Sequence, residues 1–230
     1  MAPNPEITRR QLITAAETLF AERGIGGVSL REINAAAGVR NATALQYHFH
    51  DRYGLLKAVL AKHTPVVDAA RHAMLDEYAV RGVDDLRALA AALVRPSAAK
   101  LSDPDGGRAY LQIHAEVLNR PDVPAFDESK ASPDDSIQRW RAMVGPLLPE
   151  VAVRRLHHRF TAMRVSATEL ARRAAAAPRR DDQLFVSHLI DLVAALLAAE
   201  VSDETAALLR RRDQRPSADR SSMSGELSTG

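Results

Sequence analysis

Cysteine is absent from the chain, which excludes disulfides and thiolate zinc sites. Aromatic residues are scarce, at 4% of the sequence, and no alternating run of β-branched residues is long enough to be a strand. Alanine and leucine dominate instead, and the expected class is all-α. The opening residues, MAPNPEITRRQ, lack the apolar core of a signal peptide. The most apolar stretch, Leu184 to Val201, is interrupted by Ser187, His188, Asp191 and Glu200, so it reads as a buried helix and not a membrane span. A soluble, cytoplasmic protein with no membrane partner is expected.

Catalytic signatures are missing as well. The chain has no glycine-rich phosphate loop, no HExxH pattern and no nucleophile elbow. His157 and His158 are adjacent and so face different ways on a helix, where metal ligands need a spacing of about three or four. His114 and Glu116, two apart, do not converge either. The expectation is a protein that is not an enzyme and holds no cofactor or metal. Net charge is +2, too small to argue for nucleic acid by itself, but Met1 to Lys62 carries eight basic against five acidic side chains. The basic excess therefore sits at the N-terminal end.

That end also has the densest local signals. Asn4 and Pro5 fit an N-cap and first helical position, opening a helix to about Arg23 with Leu12, Ala16, Leu19 and Phe20 on one face. Gly24 closes it. Ser29 and Glu32 form a capping box, with Val28 and Ile33 placed as a hydrophobic staple, and Gly38 ends the short helix that follows. Asn41 is the expected cap of a second short helix, Ala42 to Phe49, with Leu45 and Phe49 inward and Thr43, Ala44, Gln46, Tyr47 and His48 outward. Helices this short do not persist alone in water, so they must pack against neighbours. The outward face is rich in donors and aromatics and has no carboxylate, which suits the major groove of DNA. The pattern is a helix-turn-helix.

Asp51 is the expected cap of a longer helix carrying Leu55, Leu56, Val59 and Leu60. Pro65 is expected to kink or break it after His63, either as a hinge between a head and a separate body or as a plain helix break. Helical spacing resumes over Val66 to Tyr78, Asp84 to Leu101 (with a further break or kink at Pro96), Arg108 to Asn119 and Ser136 to Leu148, with a loop over Pro121 to Asp135. In Val151 to Ala177 the residues Leu156, Phe160, Met163, Ala167, Leu170 and Ala174 follow the seam spacing of packed antiparallel helices. In Asp181 to Val201 two apolar stripes lie side by side, Phe185, Leu189, Leu192 and Leu196 beside Val186, Ile190, Val193 and Leu197. They exceed one core face, through burial within a single chain or, the reading favoured here, across a homodimer. After Leu209 no apolar periodicity remains, and the division expected is a head at 1–62, a helical body at 63–205 and a disordered tail at 206–230.

The three N-terminal helices, the AAAG turn, the run Gln46-Tyr47-His48-Phe49, Arg52 two residues after His50 and the Leu55-Leu56 pair together resemble the TetR family of bacterial transcriptional regulators. The resemblance covers roughly Ile7 to Leu60, and the body agrees only in the count and order of its helices. It implies a ligand-responsive, sequence-specific regulator, a repressor, that binds a palindromic operator in double-stranded DNA as a homodimer. Carried over by residue, it implies DNA contacts from Arg40, Asn41, Thr43, Ala44, Gln46, Tyr47, His48 and Arg52, with Gln46 able to pair with adenine and Tyr47, His48 and Arg52 on phosphates. It implies a dimer interface in the last two long helices, here Leu156, Phe160, Met163, Phe185, Val186, Leu189, Ile190, Val193 and Leu197. It also implies a pocket in the body for an unknown small-molecule effector. Candidates for its lining are polar or aromatic side chains on apolar faces: His72, Tyr78, Tyr110, His114, Trp140, Met143 and Met163, although for each one alone ordinary core packing is the favoured role. Family departures lie between Gly38 and Leu45, one residue longer than usual, and at Gln46, where tyrosine is frequent. The alternative is a helical protein-interaction module whose helix-turn-helix no longer binds DNA.

Overall fold

The computed structural model describes residues 5–39, 41, 43–120 and 135–214, and every regular element among them is helical. No helix among them is long and apolar enough to cross a membrane. Residues 1–198 form one compact unit and 199–230 a second.

The first unit opens with α1 (Pro5–Arg23), α2 (Leu30–Ala36) and α3 (Ala44–Phe49). The capping box forms as expected, with the Ser29 hydroxyl accepting from the Glu32 backbone N–H at 3.2 Å and the Glu32 carboxylate accepting from the Ser29 N–H at 2.8 Å. The Ser29 hydroxyl and Arg23 also donate to Glu32, and these bonds hold the Glu32 carboxyl down at about 2. The three helices do not close their own core. Leu12, Phe20, Ile33, Leu45, Phe49 and Leu56 share one cluster with Ile113 and Val117, which come from the body.

α4 (Arg52–Arg81) continues through Pro65 as one helix, so the expected break does not occur. Pro65 has no N–H for the Ala61 carbonyl, but the helix is gripped on both sides of that gap. Leu55, Leu56 and Val59 lie in the head core, Val67 and Leu75 in the body core, and Leu60 packs against both. The packing of a 30-residue helix outweighs one missing bond, so the helix is not interrupted there. Pro96 is likewise accommodated inside α5 (Leu86–Ala98), which passes into a 3-10 turn at Ala99–Ser102.

α6 (Gly107–Asn119) and α7 (Ser136–Val144) follow, the second capped by Asp135. The single helix expected over Val151 to Ala177 is divided into α8 (Glu150–Arg154) and α9 (His158–Ala175), because His157 takes a left-handed conformation at φ 55°. α10 (Gln183–Leu197) completes the unit. Long-range polar contacts bind the body together. Trp140 Nε1 donates to the Leu89 carbonyl at 2.8 Å, and Arg108 Nη2 donates to the carbonyls of Arg173 at 3.1 Å and Ala174 at 2.7 Å, closing the end of α9.

In the second unit, α11 (Asp203–Gln214) occupies the start of the segment expected to be disordered. Ser202 accepts from the Thr205 N–H at 3.3 Å at its start, and none of its residues is buried. Local capping thus extends helix where apolar periodicity is lost. The rest of the expected tail, 215–230, and the expected loop over 121–134 lie outside the described residues.

Candidate nucleic-acid interface

The helix presented by the head is α3, six residues long. It starts two residues later than expected. Asn41 is not its cap but forms a turn ahead of it, its Oδ1 accepting from the Thr43 N–H at 3.0 Å and the Thr43 hydroxyl at 2.8 Å, and Thr43 takes the cap position. Leu45 and Phe49 are buried as expected. Ala44, expected outward, is only 7% exposed and belongs to the head core, because starting the helix at Ala44 turns that residue inward beside Leu45. Asn41, Thr43 and Gln46 are exposed, Tyr47 is 77% exposed and His48 is half-buried against it in an edge-to-face contact, with ring centroids 5.1 Å apart. Arg40 lies outside the described residues.

The junction between α3 and α4 is built from a residue the sequence reading passed over. Asp51 caps α4 by accepting from the Gly54 N–H at 2.7 Å, and a Cβ on Gly54 would stand 1.9 Å from the Phe49 carbonyl oxygen. Only glycine admits this approach. The GLL spacing after a capping aspartate was the available signal. Arg9, assigned to no role, places its guanidinium 5.5 Å from the centre of the Phe49 ring, bringing positive charge to the end of α3.

Arg52 does not simply extend outward. Its Nη1 donates to the Ile25 carbonyl, while the Ile25 N–H donates to both carboxylate oxygens of Glu116, at 3.0 and 3.1 Å. The turn between α1 and α2 is thus held on both its backbone groups, from α4 and from α6. A second tie lies below it. Buried Glu17 of α1 accepts from Lys62 at 2.8 Å and lies 2.6 Å from His63 Nε2, and Lys62 also reaches Asp105 at 2.8 Å. Gly106, at φ 81°, packs so closely that a Cβ there would fall 2.0 Å from a Glu17 carboxylate oxygen. Head and body are therefore joined through α6 and the turn before it.

In the body, Tyr110 is buried with His63 on one side (4.8 Å between centroids) and His114 stacked on the other (5.5 Å). Burial raises the Tyr110 phenol and, with help from Arg71, lowers the His114 imidazole to about 4. Trp140 and Met163 belong to the same core cluster as Tyr110, with Met143 and Tyr78 packed at its edge, and Arg141 Nη2 lies 3.8 Å from Met163 Sδ. His72 is half-buried on α4. The expected interface residues divide. Leu189, Ile190, Val193 and Leu197, together with Met163, are buried within the chain itself, since α10 lays that face on α5 and α9. Phe185, Val186 and Leu156 are half-buried and Phe160 is exposed. The apolar side chains that α10 leaves open are Leu184, 83% exposed, and Leu192, 48% exposed, neither of which was assigned to the interface.

A short helix with an exposed donor-bearing face, seated on two crossing partners and a long following helix, defines a helix-turn-helix DNA-binding head. Residues 12–59 match the family model described as bacterial regulatory proteins, tetR family. By that match the N-terminal region is a TetR-family DNA-binding domain, which supports a transcriptional regulator. A solved structure assigned as a TetR-family transcriptional regulator, from Mesorhizobium loti MAFF303099, is similar at 16% identity, covering 85% of this chain and 97% of that one with a TM-score of 0.45. No curated protein matches the chain.

Proposed function

We propose that the protein is a repressor that binds a palindromic operator as a homodimer and is released when a small molecule occupies the body. The observation that carries this reading is the exposed, carboxylate-free face of α3, with Gln46 and Tyr47 projecting from a head whose position is set by α6. Gln46 reads a base edge, with adenine the fitting partner. Tyr47, His48 and Thr43 contact the backbone, and Arg52 fixes the α1–α2 turn while its remaining donors face phosphate. Two such helices read one face of the duplex when they sit about 34 Å apart or a multiple of that. The open apolar residues of α10, Leu184 and Leu192, with Phe160, suit the contact between two copies.

Release follows from the joints. Tyr110, His114, Ile113 and Glu116 all lie on α6, so a ligand that shifts this helix moves the Ile25 turn and the spacing of the two heads. A ligand that lowers operator affinity by roughly 10- to 100-fold must prefer the released state by about 1.4 to 2.8 kcal/mol. Mobility shift on mixed duplex DNA, with light scattering on the free protein, tests the reading. Binding that falls steeply with salt and a mass of two chains are expected. Salt-independent or absent binding would contradict it.

A further inference from the structure

Arg71 of α4 is only 4% exposed, yet among the described residues both of its hydrogen bonds leave from one nitrogen. Nη1 donates to Ser136 Oγ at 2.6 Å and to Asp68 Oδ1 at 3.3 Å, and the Ser136 hydroxyl donates in turn to Asp68. The Nε–H is buried and has no acceptor among the described residues. A buried donor left unmade costs about 1 to 3 kcal/mol, so its persistence requires a reason.

The geometry of the group supplies one. Nε–H and one Nη2–H of a guanidinium point the same way, side by side, at the spacing of the two oxygens of a carboxylate. Nη1 stands away from that edge. Ser136 and Asp68 therefore fix the plane of the fork and leave its bidentate edge unused. We propose that this edge of Arg71 anchors an organic carboxylate, which is the class of effector taken by the body.

This inference rests on the ligand-responsive reading above and narrows it. Among the described residues, Asp68 and Asp135 are the carboxylates whose charge reaches Arg71, and Asp135 is occupied in capping α7 through the Ile137 N–H at 2.8 Å. Tyr110 and His114 complete the surroundings, and both are neutral near pH 7 because burial disfavours their charged forms. One guanidinium edge among neutral neighbours and a nearby carboxylate matches a planar monoanion. A phosphate dianion would demand more donors and more positive charge.

Trp140, the single tryptophan, lies one helical turn from Ser136 and serves as the reporter. Full-length protein is titrated with acetate, hexanoate and benzoate, each beside its own amide, following tryptophan fluorescence and Tm. At least one acid is expected to bind saturably and raise Tm, its amide binding at least about tenfold more weakly. Arg71→Lys, which keeps charge but loses the fork, is expected to weaken the acid by about tenfold or more, while Ser136→Ala, which leaves the fork, changes it by less than about threefold. Equal binding of acids and amides, no binding by any acid, or wild-type acid affinity in Arg71→Lys would overturn the proposal. If Arg71→Lys fails to fold, the acid and amide pairs on wild type and Ser136→Ala still decide. Operator binding is measured in parallel, so its failure, which would sink the regulator reading, is seen separately.

Discussion

Each helix of the head is delimited by residues next to it in the chain, whereas the helices of the body are held by partners far along it. Ser29 and Glu32 start α2, Asn41 sets the turn before α3, and Asp51 with Gly54 starts α4. In the body, Trp140 bonds Leu89, Arg108 closes the end of α9, and Arg71 ties α4 to α7 through Ser136. Local specification lets six residues of α3 hold a defined face to solvent. Distant specification lets one displacement be felt across several helices, which is what the proposed ligand response requires.

The comparison breaks hardest at the α3–α4 junction. Gly54→Ala forces a Cβ into the Phe49 carbonyl and should cost about 3 kcal/mol or more, read by denaturation and by amide exchange that opens α3 while α9 and α10 stay protected. Equal loss of protection in both regions would show that the head is not locally specified. Next comes the joint between the regions. Glu17→Ala leaves His63 and Lys62 without their shared carboxylate and should destabilise by about 3 kcal/mol, with reduced operator affinity even where the protein is fully folded.

Trp140→Phe removes one buried bond to the Leu89 carbonyl and should cost about 1 to 3 kcal/mol in the body, with operator binding unchanged. Comparable in size is an effect of pH. His114 titrates near 4 in the fold against an ordinary 6.5, so between those values the unfolded chain binds a proton that the folded chain refuses. Stability should therefore fall as pH drops from 6.5 toward 4 and level off below, by up to about 3 kcal/mol, and His114→Asn flattens that fall. A profile unchanged by that substitution would place the titration elsewhere.

The same contrast explains what could be read from the residues alone. The all-α class, the capping box, the Asp51 cap and the inward Leu45 and Phe49 were legible because each signal lies within a turn or two of its effect. Ala44 was misread because Asn41 spends its side chain on a turn instead of a cap, which shifts the helix start. Pro65 was misread because local chemistry argued for a break and packing on two cores prevailed. The break at His157 has no glycine or proline to announce it. Of the two stripes on α10, composition could not say which face the chain keeps, and it keeps Leu189, Ile190, Val193 and Leu197. Arg71 lay on a face that read as ordinary helix, and only the structure joins it to Ser136, 65 positions away.

The central claim is that α3 reads DNA sequence through its exposed face. Pooled-fragment selection with the purified protein, wild type beside Gln46→Ala, tests it most directly. The account predicts a palindromic site for the wild type, with the preference relaxed at particular bases in Gln46→Ala while fold stability changes by less than about 0.5 kcal/mol. No enriched sequence, or the same site with the same base preferences from both proteins, would contradict it.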